Sequence, residues 1–299
     1  MLAYWLLLFS PVFFSSNFIF GSVAVKNVEP FTLTLFRWAI AFGLIIPFAW
    51  SGIWSQRALL SAQWKLIATN AFLSIGICGA GVYFALKYTS ATNGTLIYTS
   101  SPVLILLMER IFRGRLISWR EIAGIILAVS GILYIIAKGS LEQLLALDFN
   151  DGDLLFVMAA LGWAIYSVLS KKRALQPVST ISMFAIVALI GSLMMIPFTI
   201  YEASYADFWP KQMSQWYSLF GLGFISSVLA FTCYQYGIKI LGPATAGIFM
   251  YLLPPVGVLL AVTFLGESFL PFHMMGLVLV MSGVILATLP FERFVRSST

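Results

Sequence analysis

An arginine within a long apolar stretch is the residue of this sequence best suited to bind an anion. Arg37 lies between Phe31 and Trp50, where nearly all other side chains are apolar. A guanidinium group at the centre of a bilayer costs roughly 2.5–3.5 kcal/mol on insertion scales, so such a residue favours a water-filled cavity or a substrate carboxylate or phosphate. The alternative is that its long side chain extends toward the membrane surface near Pro30. The sequence leaves both roles open.

Hydroxyl-bearing residues form a second pattern, after residue 94. The spacing i, i+3, i+4 and i+7 places four residues on one face of a helix, namely Thr95, Tyr98, Thr99 and Pro102. Such groups beside a proline, which weakens a helix locally, suit the lining of a polar cavity that opens by bending. Packed tyrosines beside a simple proline kink are the alternative.

Further hydrogen-bonding and aromatic side chains lie deep in the other apolar segments, and together they give the predicted site. The predicted substrate-binding residues are Ser16, Asn17, Arg37, Trp38, Tyr83, Thr95, Tyr98, Thr99, Trp163, Tyr166, Tyr234, Gln235 and Tyr251. The predicted hinges are Pro102 and Pro255. Hydrogen bonds that only join helices, and tryptophans that only anchor at the membrane surface, are the alternatives.

No catalytic or metal-binding motif accompanies these residues. The sequence contains no phosphate-binding GxxxxGK[ST] loop, no HExxH helix and no cluster of Cys and His. It therefore predicts no enzyme activity, no metal and no cofactor. His273 is expected at the membrane interface, and Glu267 is expected as a surface charge at a helix end. No carboxylate in mid-membrane is evident, which leaves exchange, facilitated export or an unidentified proton path open.

The composition excludes a soluble protein. Of 299 residues, 61% are hydrophobic and 9% are charged, whereas soluble domains carry about 25% charged residues. The mean hydropathy is +0.97. The net charge of +6 is spread along the chain without a long basic run, so no nucleic-acid partner is predicted.

Ten apolar segments are long enough to be membrane-spanning helices. They are predicted near residues 3–25, 31–50, 66–86, 94–108, 122–137, 154–170, 180–200, 217–238, 245–265 and 272–289. The loops on the side of the N-terminus hold twelve Lys and Arg, against four on the other side. Because basic loops stay in the cytoplasm, both termini are predicted to be cytoplasmic.

The sequence contains an internal repeat. Residues 91–103 align without a gap to residues 244–256, sharing the Ala-Thr pair, a Gly, a Tyr, a Pro and a Val. Pro30 and Pro177 match at a similar offset. Each half then holds five helices, and an odd number means that the second half enters the membrane from the opposite side. Inverted repeats are typical of transporters that open alternately to each side of the membrane.

The predicted fold is an all-α membrane protein with ten transmembrane helices in two inverted five-helix repeats. The first repeat covers residues 1–138 and the second covers residues 153–290. An acidic outer linker, residues 139–152, joins them, and a cytoplasmic tail covers residues 291–299. Asp153, at the edge of this linker, is expected to be solvated.

The sequence resembles the drug/metabolite transporter superfamily, in particular its ten-helix members with two EamA domains. The resemblance is carried by Ser16-Asn17, Pro30, Arg37-Trp38, the repeated Ala-Thr segments, and Leu265-Gly266-Glu267 followed by Gly276 and Gly283. It implies export or exchange of small metabolites, amino acids among them, across the bacterial inner membrane. One departure is Arg113-Gly114-Arg115, where the family pattern would have a Gly-Glu pair. A nucleotide-sugar or phosphorylated-metabolite exchanger is an alternative, and a membrane enzyme or scaffold is another.

Four glycines are predicted to pack helices closely. Gly124 and Gly131 are seven residues apart in the fifth helix, as are Gly276 and Gly283 in the tenth, so each pair lies on one helix face. These faces are expected to pack within one chain or to join two copies as a homodimer. The other predicted partners are a small-molecule substrate and the lipid bilayer.

Overall fold

A computed structural model describes most of the chain. It covers residues 1–114, 116–140, 142, 150–170, 172–175, 177–206, 209–241 and 249–288. It describes only the backbone of residues 102, 113, 173, 235, 238, 239, 241, 251 and 288. The tail at 291–299 and most of the linker at 139–152 lie outside the described residues.

The described residues form helices and the turns between them. In chain order the helices are α1 (Leu2–Ala24), α2 (Pro30–Ser55), α3 (Arg57–Ala62), α4 (Trp64–Ala85), α5 (Ala91–Tyr98), α6 (Ser101–Arg113), α7 (Trp119–Ile136), α8 (Asp151–Ser170) and α9 (Thr180–Glu202). Helix α10 consists of the consecutive segments Met213–Phe220, Gly221–Leu229 and Ala230–Leu241, and α11 (Leu253–Leu265) and α12 (Pro271–Thr288) follow. Short 3₁₀ turns lie at Arg173–Leu175 and Met250–Leu252.

The predicted all-α membrane fold is confirmed. Seven helices are long and apolar enough to cross a bilayer, and α5 and α6, bent by 43° to each other, are together long and apolar enough for an eighth span. The shorter apolar helices α11 and α12 occupy the last two predicted positions. The prediction of one continuous helix over 94–108 was wrong, because the helix breaks at Thr99 and Ser100, just before Pro102.

Local structure repeats between the halves. Helix α6 ends at Gly114 (φ 65°) and α11 ends at Gly266 (φ 66°), both in the left-handed region that glycine adopts without strain. The third span of each half, α4 or α10, contains nine π-helical residues, Phe72–Ala80 and Gly221–Leu229. Equivalent positions of the two repeats therefore adopt the same unusual backbone.

Helices of each repeat pack against helices of the other repeat. Helix α1 packs against α10 and α11, and these three are called bundle A. Helix α8 packs against α4, α5 and α6, and these four are called bundle B. The equivalent helices α2 and α9 pack on each other, as do α7 and α12.

The two sides of the membrane are named from the helices that begin there. The side on which α1 begins is called the N-terminal face, and the side on which α2, α5, α8 and α12 begin is called the opposite face.

The α2–α9 pair is capped at both ends by equivalent residues. At the opposite face, Glu202 accepts hydrogen bonds from the backbone N–H of Phe31 (2.8 Å) and Thr32 (2.7 Å) and from the Thr32 hydroxyl (2.8 Å). At the N-terminal face, Gln56 accepts from the Ser179 N–H (3.4 Å) and donates to the Pro177 carbonyl (2.5 Å). Gln56 and Glu202 are 146 residues apart, and Thr32 and Ser179 are 147 apart. Each repeat thus caps the other, at opposite ends of an antiparallel pair.

Removing the Glu202 cap is expected to destabilise the protein. Glu202→Ala leaves the buried donors of Thr32 without an acceptor, which should cost about 2–4 kcal/mol of unfolding free energy. Glu29→Ala is the matched control, because Glu29 pairs with Lys87 at the exposed surface of the same face and should cost less than about 1 kcal/mol. Thermal unfolding in detergent measures both variants. Equal losses would contradict the role of Glu202.

The four packing glycines meet within one chain. A Cβ atom on Gly124 would lie 2.6 Å from the Gly283 carbonyl oxygen, and one on Gly131 would lie 2.8 Å from the Val280 nitrogen. A Cβ atom on Gly276 would lie 2.2 Å from the Ile135 side chain. Helices α7 and α12 therefore cover each other's glycine faces within one chain.

Candidate functional site

Arg37 lies inside the protein, with 7% of its surface exposed. Its Nε donates to the Ser227 hydroxyl (2.9 Å), and its Nη1 donates to Asn17 Oδ1 (2.6 Å) and to the Tyr83 hydroxyl (2.6 Å). These partners come from α10, α1 and α4, so the guanidinium joins both bundles. The side chain is held among other spans, and the alternative of extension to the membrane surface was wrong.

Neutral groups alone surround this charge among the described residues. The Tyr83 hydroxyl itself donates to Asn17 Oδ1 (3.0 Å). The Trp38 and Tyr83 rings lie 5.0 and 5.9 Å from the guanidinium carbon. No carboxylate pairs with Arg37 in the described part of the chain, and its Nη2, with two N–H donors, has no partner there. The site can therefore offer a positive charge and two free donors to an anion.

Two serines at this site were missed by the sequence analysis. Ser227 is the partner of Arg37, and Ser226 hydrogen-bonds to the predicted residue Ser16 (2.7 Å). Both lie in the π-helical segment of α10, where Ser227 donates to the carbonyl five residues earlier, at Leu222 (2.9 Å). The available signal was a serine pair that follows two glycines, Gly221 and Gly223, in an apolar span. The wider turn of a π-helix is frequent at functional sites.

Aromatic side chains form a second group of predicted residues. The rings of Tyr98 and Trp163 have centroids 6.4 Å apart, and those of Trp163 and Tyr166 are 5.1 Å apart. Phe18, which follows Asn17 in α1, lies 6.1 Å from Tyr98. These four residues are called the aromatic wall. Because Phe18 follows a partner of Arg37, the wall lies beside the polar cluster.

Other predicted residues lie apart from these two groups. Tyr234 packs on Phe14 (6.1 Å between centroids) within bundle A. Thr99 donates to its own helix at the Thr95 carbonyl (2.7 Å). Thr95 is fully buried and its hydroxyl has no partner among the described residues. Trp38, by contrast, borders Arg37, and its ring also packs near Phe184 (5.8 Å).

The predicted hinge prolines lie at helix starts. Pro102 is in the first turn of α6, directly after the 43° bend between α5 and α6. Pro255 is in the first turn of α11, where a missing N–H removes no intrahelical hydrogen bond. Pro255 thus follows the point at which the backbone changes from the 3₁₀ turn Met250–Leu252 to an α-helix, and its role as a hinge stays a prediction. The side chains of Pro102, Gln235 and Tyr251 lie outside the described residues.

A carboxylate binds the start of α5 at the opposite face. Glu267 Oε1 accepts from the Ala91 N–H (2.8 Å) and its Oε2 from the Thr92 N–H (2.9 Å). The Ser90 hydroxyl accepts from the next N–H, that of Asn93 (3.0 Å). The expectation that Glu267 is only a surface charge was wrong, since it satisfies the free donors of a helix from the other repeat.

The side chain of Asn93 continues this network. Its Nδ2 donates to both oxygens of Asp153 (3.3 Å each), which also accepts from the Thr89 hydroxyl. His273 Nδ1 accepts from the Leu270 N–H (3.0 Å), so Nε2 carries the proton and donates to Asn93 Oδ1 (2.9 Å). Asp153 is 0% exposed and His273 is 5% exposed. The expected solvation of Asp153 was wrong, because α8 begins against α5. His273 lies in the first turn of α12 at the opposite face, where its side chain is covered by α5.

A cavity of about 390 Å³ lies beside this network. Its lining includes Asn93, Asp153, Glu267, His273 and Lys138. It is at the opposite face, whereas Arg37 lies in the interior. The described part of the chain contains no group of three or more His, Cys, Asp or Glu that could hold a metal ion.

Comparison with known proteins gives one consistent family. The model of the EamA-like transporter family matches residues 1–137 and 150–289. The chain is 27% identical to an uncharacterized transporter of Archaeoglobus fulgidus, over 95% of this chain and 96% of the relative. It is 27% identical to the uncharacterized transporter YyaM of Bacillus subtilis, over 95% and 93% of the two chains.

Two further similarities cover most of the chain. A probable terminal-alkyne amino-acid exporter of Streptantibioticus cattleyicolor is 24% identical over 87% of this chain and 93% of the relative. A protein of known crystal structure has the same fold, with a TM-score of 0.63 and 21% identity over 97% of both chains.

Proposed function

This chain belongs to the EamA-like transporter family, and we propose that it exports or exchanges small zwitterionic or anionic metabolites, amino acids above all, by alternating access. It is a multi-pass membrane transporter and not an enzyme. We place it in the bacterial inner membrane, with the N-terminal face in the cytoplasm because that side carries most of the Lys and Arg.

The observation that supports an anionic group on the substrate is the unpaired charge of Arg37. A buried ionised side chain is ordinarily paired, because an isolated charge in a low-dielectric interior is costly. In the described part of the chain the guanidinium has only Asn17, Tyr83 and Ser227 as hydrogen-bond partners, and Nη2 keeps two free donors. A substrate carboxylate would supply both the missing charge and the missing acceptors.

The neighbourhood of Arg37 suits an amino acid. The Ser16 hydroxyl oxygen can accept from an ammonium group, and Asn17 Oδ1 can do so when it releases one of the two hydrogen bonds that it accepts from Arg37 and Tyr83. The aromatic wall offers an apolar surface to a side chain. The amino-acid exporter among the relatives is consistent with this substrate class.

Phosphorylated substrates fit the described residues less well. A phosphate carries about two charges, and proteins commonly hold it with several basic groups. Lys65 lies at a helix start beside the Trp64 ring (5.9 Å), and Lys87 pairs with Glu29. Neither of these lysines contacts Arg37, so one carboxylate matches the single guanidinium better.

The packing supports alternating access as the mechanism. Bundles A and B each combine helices of both repeats. The α2–α9 pair contacts both bundles, whereas the α7–α12 pair packs on α5 and α6 of bundle B. Inverted repeats allow each half to adopt the conformation of the other, so that a central site opens to one side and then to the other. Because Arg37 hydrogen-bonds to both bundles, a substrate that replaces some of these bonds would couple binding to their movement.

Transport by purified protein in liposomes tests this proposal. Liposomes loaded with one unlabelled amino acid should accumulate the same labelled amino acid by exchange, for at least one member of a broad panel. Parallel liposomes loaded with sugar phosphates or nucleotide sugars serve as the comparison. Exchange of phosphorylated compounds alone, or of no compound in either panel, would contradict the substrate assignment.

A further inference from the structure

We propose that Glu267 is a latch that joins bundle A to bundle B at the opposite face, so that the chain rests closed on that side. The inference rests on the alternating access proposed above. Glu267 follows the end of α11, which belongs to bundle A, and binds the start of α5, which belongs to bundle B. Opening this face by separating the bundles must break these hydrogen bonds.

The negative charge of Glu267 strengthens both hydrogen bonds of the latch. Both carboxylate oxygens accept from N–H groups that have no partner within α5. The acceptor is charged, and the positive end of the helix dipole attracts it. Two charge-assisted hydrogen bonds therefore form together when this face closes.

The Asn93 network positions the start of α5 for this contact. His273 donates to Asn93 Oδ1, which directs Nδ2 of the amide toward Asp153 in α8. These bonds hold the first turn of α5 from two sides. Asn93, Asp153 and His273 are thus positioning residues, and Glu267 makes the contact between the bundles.

Close packing between the bundles lies directly beneath the latch. A Cβ atom on Gly257 of α11 would lie 2.4 Å from the Thr95 side chain of α5. Phe18 of α1 contacts Phe156 of α8, with centroids 5.9 Å apart. Helix α6 is the part of the bent span that lies nearer the N-terminal face. It packs on α8 of its own bundle and on α7 and α12. The contacts that close the protein therefore lie toward the opposite face.

The repeat contains no acidic counterpart of this latch. Gly114 and Gly266 are equivalent, since both end a helix in the left-handed region. Glu267 follows Gly266, whereas Arg115 follows Gly114. An arginine has no hydrogen-bond acceptor in its side chain and cannot cap a helix start. The position equivalent to Glu267 in the first repeat thus carries no carboxylate, and the contact that Glu267 makes favours the state closed at the opposite face.

Distances between spin labels test the latch directly. Lys26→Cys, after α1, and Tyr88→Cys, after α4, place one nitroxide on each bundle at the opposite face, and both residues are exposed. Cys78 and Cys233 are replaced by Ala in every variant. Glu267→Gln keeps the side-chain shape but removes the charge and one of the two acceptors. We expect it to raise the population with a long distance about tenfold, in lipid nanodiscs.

The matched control is Glu29→Gln, which removes a carboxylate from the same face but from a contact within one repeat. It should leave the distance distribution unchanged, and size-exclusion profiles check that both variants are folded. Identical distributions in Glu267→Gln and the parent protein would overturn the latch. Amino-acid flux is measured in parallel. If Glu267→Gln changes the distances but no amino acid is transported, the latch is supported and the substrate assignment is contradicted. If amino acids are transported but the distances do not change, only the latch is overturned.

Discussion

Replacing Arg37 with glutamine is expected to lower amino-acid flux about 100-fold, because the substrate carboxylate loses a buried ionic partner. Glutamine keeps a hydrogen-bonding side chain but carries no charge. The same variant should unfold at the same temperature as the parent protein or at a higher one, since it removes a charge that no described carboxylate compensates. Exchange in liposomes and thermal unfolding measure the two effects.

Two further variants separate charge from geometry. Arg37→Lys keeps the charge but loses the planar arrangement of donors, and should lie between the parent and Arg37→Gln in flux. Ser227→Ala removes one neutral partner of Arg37 and should lower flux less than either. Flux in Arg37→Gln within about threefold of the parent, in folded protein, would show that Arg37 does not bind the substrate.

Replacing Gly124 with alanine is expected to destabilise the protein by about 2–3 kcal/mol. The added Cβ atom would lie 2.6 Å from the Gly283 carbonyl oxygen and 2.7 Å from the Ala287 nitrogen. Both neighbours are backbone atoms, so relief requires that α7 and α12 move apart along their whole contact. The loss is measured as a shift in thermal unfolding in detergent.

The same substitution at Gly43 is the control. Gly43 lies within α2, and a Cβ atom there would have no atom within 4 Å. Because alanine is the better helix former, Gly43→Ala should stabilise the helix by up to about 1 kcal/mol. Shifts in the same direction for both variants would contradict the close approach of α7 and α12.

Features that repeat along the chain were predictable from the sequence. The apolar spans follow from composition, since a bilayer requires about 20 apolar residues per helix. The glycine faces follow from spacing, because residues seven apart lie on one side of a helix. Arg37 was identified as an anion-binding candidate because a charge within an apolar span is costly unless it faces a water-filled cavity or a ligand. Its role in binding stays a prediction.

Contacts between distant segments were not predictable. Glu202 and Glu267 are separated from their partners by at least 170 residues, and a carboxylate at a helix end looks like a surface charge in any one segment. The same holds for His273, whose partner Asn93 lies 180 residues away. Ser227 was missed because the π-helical backbone that aims it at Arg37 has no clear sequence pattern.

The most direct test of the account is equilibrium binding to purified protein of a transported amino acid and of the amine that lacks its carboxyl group. We expect the parent protein to bind the amino acid about 100-fold more tightly than the amine, and Arg37→Gln to abolish this difference. Equal affinities in the parent protein, or a preference for the amino acid that persists in Arg37→Gln, would contradict it.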